Sequence, residues 1–141
     1  MRLIILALLL TLVSPAIAGY DIHLTRRTDW SNEKSGPPIT LEEWKQFVTS
    51  DPEMRLDGVA ETTIPDGRKL RAESAGLAVW IKWSKHGKEG MARFDWSDGE
   101  IVVKNPDTEI FGKMFRIAQK LHAKLQGDDG EVYDSRGEVV K

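Results

Sequence analysis

Apolar and polar residues alternate through Tyr20 to Thr25 (YDIHLT), the period of a strand with one buried face. Ile22 and Leu24 then share the inner face, and His23 points to the opposite one. After a polar loop from Ser31 to Pro38, Thr40-Leu41-Glu42-Glu43 has the spacing of a capping box. It predicts a helix to about Ser50, stopped by Pro52, with Leu41, Trp44, Phe47 and Val48 facing inward. Arg55 to Thr63 reads as a weaker strand, Pro65-Asp66-Gly67 as a turn, and Arg68 to Ser74 as a short strand or mobile loop. Gly76 to Ser84 (GLAVWIKWS) is the clearest strand, with Leu77, Val79, Ile81 and Trp83 on one face and Ala78, Trp80 and Lys82 on the other. Met91 to Trp96 and Glu100 to Lys104 continue a meander through Lys85–Gly90 and Ser97-Asp98-Gly99.

Helical spacing returns at Ile110, Met114, Ile117, Ala118, Leu121 and Leu125, widened by Phe111 and Phe115. Gly127 is placed to cap that helix, and Glu131–Tyr133 with Glu138–Val140 to form a last hairpin around Ser135-Arg136-Gly137. The pattern predicts an α+β fold: an antiparallel sheet of roughly four to five strands in β-α-β-β-β-α-β order, with both helices on one face.

The first residues read differently. Met1-Arg2, the apolar run Leu3 to Val13 and the small residues Ala16 and Ala18 have the grammar of a secretory signal peptide cut after Ala18. The run is shorter than the roughly 20 residues that span a bilayer, so no stable membrane anchor is expected after cleavage. The expectation is one domain from Gly19 to Lys141, periplasmic or secreted. The chain has no cysteine, hence no disulfide and no thiol nucleophile. A net charge of −2 gives no electrostatic pull towards nucleic acid or anionic lipid.

Candidate chemistry is sparse. Gly127 to Gly137 (GDDGEVYDSRG) crowds four carboxylates, yet counted from Asp128 the third position is Gly130 and the sixth Tyr133, which is not an EF-hand. Asp128, Asp129 and Glu131 are left as a crude oxygen site or, more simply, as turn chemistry. His23, His86 and His122 have no metal-ligand spacing, and His122 beside the apolar helical stripe should be partly buried. There is no Gly-x-Ser-x-Gly elbow and no phosphate-cradling glycine loop. No cofactor or metal is expected. If helices cover the Trp83 face, Trp80 stands on the open face as a possible anchor for a protein or sugar. Arg26, Arg27 and Trp30 lie at the end of the first strand, where the arginines either contact a partner or pair with nearby acids.

YDIHLTRRTDW, ITLEEWKQFVTSDPEMRLDG, GLAVW, FDWSDGEIVVKNPD and IAQKLHAKLQGDDGEVY, in this order, resemble a group of small uncharacterised bacterial proteins. The group shares a D-[IL]-H-[IL]-T-R start, an [IL]-[ST]-L-E-E-W helix, a K-N-P-D step and a final Q-G-D-D-G-E-x-Y, and the resemblance brings no activity with it. The functional expectation is an exported non-catalytic domain that binds another protein, for example as an inhibitor or immunity-type partner, through His23, Arg26, Arg27, Trp30, Trp80, Asp128 and Asp129. The alternatives are a small envelope hydrolase built on His23 with acidic residues, or a sugar binder using Trp80. Whether Asp128 and Asp129 fold back beside His23 and Arg26 separates these readings.

Overall fold

The computed structural model describes residues 20–140; the expected signal segment lies outside them. The first strand, β1 (Asp21–Thr25), leads through a loop with one 3-10 turn (Glu33–Ser35) into α1 (Leu41–Ser50). The capping box forms as its residue types require: the Glu43 amide donates to the Thr40 hydroxyl, and the Thr40 amide donates to the Glu43 carboxylate. Then come β2 (Met54–Leu56), β3 (Val59–Thr63), β4 (Lys69–Glu73), β5 (Leu77–Trp80), β6 (Arg93–Ser97), β7 (Glu100–Lys104), α2 (Thr108–Lys120), β8 (Lys124–Gly127) and β9 (Val132–Tyr133).

Seven strands form one antiparallel sheet in the order β2-β5-β6-β7-β1-β8-β9, so the fold is α+β with a larger sheet than the pattern predicts. The inward residues Ile22, Leu24, Ala78, Trp80, Phe94, Ile101, Val103 and Leu125 pack against Trp44 and Val48 of α1 and Ile110, Met114, Ile117 and Ala118 of α2. Each such large apolar side chain, once buried, contributes about 1.5–3 kcal/mol. The Trp44 indole also donates to the Gly76 carbonyl at 2.8 Å, so the largest core residue leaves no polar atom unpaired.

Three elements depart from the pattern. Arg55 to Thr63 is not one strand: β2 joins the main sheet against β5, whereas β3 pairs only with β4 in a separate two-stranded sheet. The β5 strand stops at Trp80, so the alternation seen at Ile81 and Trp83 runs on into turns; the Trp83 indole donates to Asp107 instead.

The helix expected to reach Gly127 ends at Lys120, with His122 in the left-handed region at φ 54°. Leu125 satisfies a helical period, but it also satisfies the period of β8, which pairs with the otherwise open edge of β1 and sets Leu125 opposite Leu24. An unpaired strand edge beside the core is costly, and pairing along β1 prevails over about two more helical turns. Gly127 is therefore not a cap. A Cβ there would collide with the Glu131 carboxylate and the Tyr20 hydroxyl, which pack against this strand end.

Candidate functional site

Strand alternation puts His23 on the sheet face away from the helices, at the centre of β1, with Val102 of β7 and Gln126 of β8 as its cross-strand neighbours. Glu100, on the same face of β7, brings Oε1 to 2.8 Å from His23 Nδ1. The turn after β8 brings Asp128 Oδ1 to 2.9 Å from Nε2. The His23 and Glu100 side chains are 4% and 8% exposed, whereas that of Asp128 is 35% exposed, so the cluster opens to solvent only at Asp128.

Trp30 closes the cluster from above. Its indole lies parallel to the imidazole at 3.8 Å between centroids. Its ring nitrogen donates to the Asp128 carbonyl at 3.3 Å, and its backbone amide donates to Gln126 Oε1 at 2.7 Å. The Gln126 amide nitrogen in turn donates to the carbonyls of Thr28 and Gly130. One side chain thus ties the loop after β1 to the turn after β8. Asp128 also accepts from the Asp21 amide at 3.1 Å, which holds the turn against the start of β1.

The charge of His23 follows from the inventory of donors. A carboxylate only accepts, and a neutral imidazole has one N–H, so satisfying both partners requires the imidazolium. Burial lowers the pKa of His23, but the hydrogen bonds to Glu100 and Asp128 outweigh it and the net direction is upward from 6.5. A general base needs a free nitrogen within reach of a substrate proton. Both nitrogens here are engaged and one ring face is covered, so what this arrangement does chemically is fix a charge and pin two loops.

The other residues expected at a site are placed as follows. Arg26 grips Glu43 of α1 with two parallel bonds of 3.0 and 2.7 Å and donates from Nε to the Leu121 carbonyl at 2.8 Å. Arg27 is buried, donating to the carbonyls of Asp98 and Trp30. Asp128 meets His23; Arg26 does not join them, and Asp129 is exposed.

Trp80 is not on the open face. The helices cover the Ala78 and Trp80 face of β5, leaving Trp80 4% exposed, its indole donating to Glu53 and lying beneath Lys113 at 5.9 Å. His122, expected to be partly buried, is exposed because the helix has ended before it. His86 is half-buried in the loop after β5.

Residues that the sequence pattern did not single out do much of the holding: Glu100, Gln126 and Lys113 are all buried. Lys113 sits on α2 between Ile110 and Met114, bound to Asp51 at 2.7 Å and Glu53 at 3.1 Å. A lysine within the inward stripe was the one legible sign of it. Glu131 accepts from the Tyr133 hydroxyl at 2.8 Å, and burial, reinforced by that bond, pushes the Tyr133 pKa up to about 12. Among the described residues no group of three or more His, Cys, Asp or Glu could hold a metal ion, and no helix is long and apolar enough to cross a membrane. Compared with known proteins, the chain matches no family model, no curated protein and no solved structure.

Proposed function

We propose that this protein is an exported, non-catalytic domain that binds another protein, of the inhibitor or immunity type, and that it docks through the β3–β4 hairpin. The observation that carries this reading is the hairpin's isolation. Among the described residues its strands pair only with each other, and Glu61, Thr63, Lys69, Arg71 and Glu73 are exposed along it. A two-stranded hairpin is marginally stable in water by itself. This one also carries Leu70 at 54% exposure, with Arg68 and Arg71 nearby, and each strand presents a free edge of backbone donors and acceptors. Addition of a strand at such an edge is a common mode of protein recognition, main-chain bonds giving affinity and flanking side chains specificity.

The closed state of His23 weighs in the same direction, since it withdraws from proton transfer the one histidine that bonds carboxylates among the described residues. The basic start, apolar run and Ala-x-Ala site support export.

The test is a pull-down from envelope extract with the wild type and a Leu70→Lys variant, followed by direct titration of the retained protein. Retention of one protein by the wild type and at least about tenfold weaker binding by the variant is the expected result. Equal binding by both, or no specific protein retained, refutes the docking assignment. Mass measurement of the exported chain should place its first residue at Gly19.

A further inference from the structure

Beyond the hairpin, the face of the sheet that carries His23 is only partly covered over β6 and β7, where Asp95 and Val102 are half-buried and Arg93 and Lys104 are exposed. A depression of about 380 Å³ lies there, floored by Leu77 and Val102 and rimmed by Met91, Arg93, Asp95 and Lys104. That volume is at the lower end of the roughly 300–1,000 Å³ typical of small-ligand sites, and an apolar floor with a few polar groups is their usual lining.

The charges on the rim are uneven. Asp95 is opposite Val102, so continuing the same β6–β7 register sets Arg93 opposite Lys104 on this face. Like charges at directly opposed positions destabilise a sheet. Neither cation forms an ion pair among the described residues. The nearby acids do not compensate them: Asp95 accepts from the Ser74 hydroxyl at 2.8 Å, and Asp21, cross-strand from Lys104 on β1, holds one carboxylate oxygen buried without a partner. Glu100 is committed to His23. Two opposed cations beside an apolar floor are complementary to one anion with an apolar body.

We infer that this depression is a binding site for a small carboxylic acid with an aliphatic or aromatic body, its carboxylate between Arg93 and Lys104 and its body on Leu77, Met91 and Val102. The guanidinium of Arg93 supplies a planar pair of donors suited to a carboxylate, and Lys104 adds a second charge. Asp95 repels a second acidic group, so monocarboxylates are preferred to dicarboxylates. The site lies on the main sheet and does not depend on the hairpin's binding a protein.

Titration of the purified protein with isocaproate, followed by backbone-amide NMR, tests it. The expected result is saturable shifts confined to Leu77, Met91, Arg93, Val102 and Lys104 and their neighbours. The uncharged isocaproamide should bind at least about tenfold more weakly, as should isocaproate with the Arg93→Ala/Lys104→Ala double variant. Arg93→Lys, which keeps the charge but loses the planar fork, should fall between. An equal response to the amide, shifts spread over the surface, or no saturable shift at millimolar isocaproate overturns the inference. Both cations are exposed, so the variants should keep a dispersed, folded spectrum against which a loss of binding is read.

Discussion

The Trp30 indole lies flat on the His23 imidazole, with planes 9° apart and centroids 3.8 Å apart. Because that imidazole is charged by its two carboxylate partners, the contact is a cation held against a π face inside the protein. It joins a loop and a turn that are 98 residues apart in sequence through the Trp30–Asp128 bond. Protonated imidazole at this distance quenches indole emission. Trp30 fluorescence should therefore rise as His23 loses its proton, and a His23→Gln variant should abolish that pH-dependent step. A step of unchanged size in the variant would disconnect the quenching from His23.

The same charge sets the pH dependence of stability. Folding raises the His23 pKa above 6.5, so its contribution is fully present below the unfolded value and is lost as pH rises through the folded one. Denaturant titrations should show stability falling on the alkaline side of about pH 6.5. His23→Leu leaves the buried Glu100 carboxylate without its partner and should cost about 3 kcal/mol at neutral pH. A loss of less than about 1 kcal/mol would mean that Glu100 rehydrates easily.

Arg26 and Glu43 give the opposite sign. The Arg26 guanidinium, with help from the Thr40 amide, lowers the Glu43 pKa from 4.5 to about 2. This contribution is present above pH 4.5 and is lost as pH falls towards 2. The Glu43 side chain is 40% exposed, and solvent screening limits the ion pair to about 1 kcal/mol. Glu43→Gln should therefore lose about that much at neutral pH and nothing further at pH 2, measured by urea unfolding.

Lys113 is a harsher case, its side chain 6% exposed and that of Asp51 9%. Lys113→Met strands the Asp51 carboxylate and should destabilise by about 3 kcal/mol, whereas Lys113→Met with Asp51→Asn should recover part of that loss. A double-mutant cycle decides it: additive losses would show that the pair is not coupled.

His122 offers a stabilising change. It is exposed and sits at φ 54°, where a side chain is strained and glycine is not. His122→Gly should raise stability by up to about 1 kcal/mol, and His122→Val should lower it. Thermal unfolding of the two variants in opposite directions is the check; a destabilising glycine would show that the imidazole makes a contact worth more than the strain.

Local chemistry determined much of this molecule. The Thr40–Glu43 capping box, the stop at Pro52, the turn at Pro65-Asp66-Gly67 and the inward Ile22 and Leu24 are decided by neighbours a few residues away, and each is where short-range patterning puts it. That His23 points away from the face of Ile22 and Leu24 follows from alternation alone. Tertiary structure decided the rest. Leu121 to Gly127 is compatible with about two more helical turns or with a strand, and only the free edge of β1, about a hundred residues earlier, selects the strand. That choice carries Asp128 to His23, and it makes one residue of the acidic turn the solvent-facing member of the cluster with Glu100. Likewise, alternation in β5 separates Trp80 from its neighbours but does not say which face the helices cover; packing of α1 and α2 buried it. Sequence period specifies which residues share a face, whereas which face is buried, and which distant strand completes a sheet, is settled by the pairing that leaves the fewest backbone groups and apolar surfaces exposed.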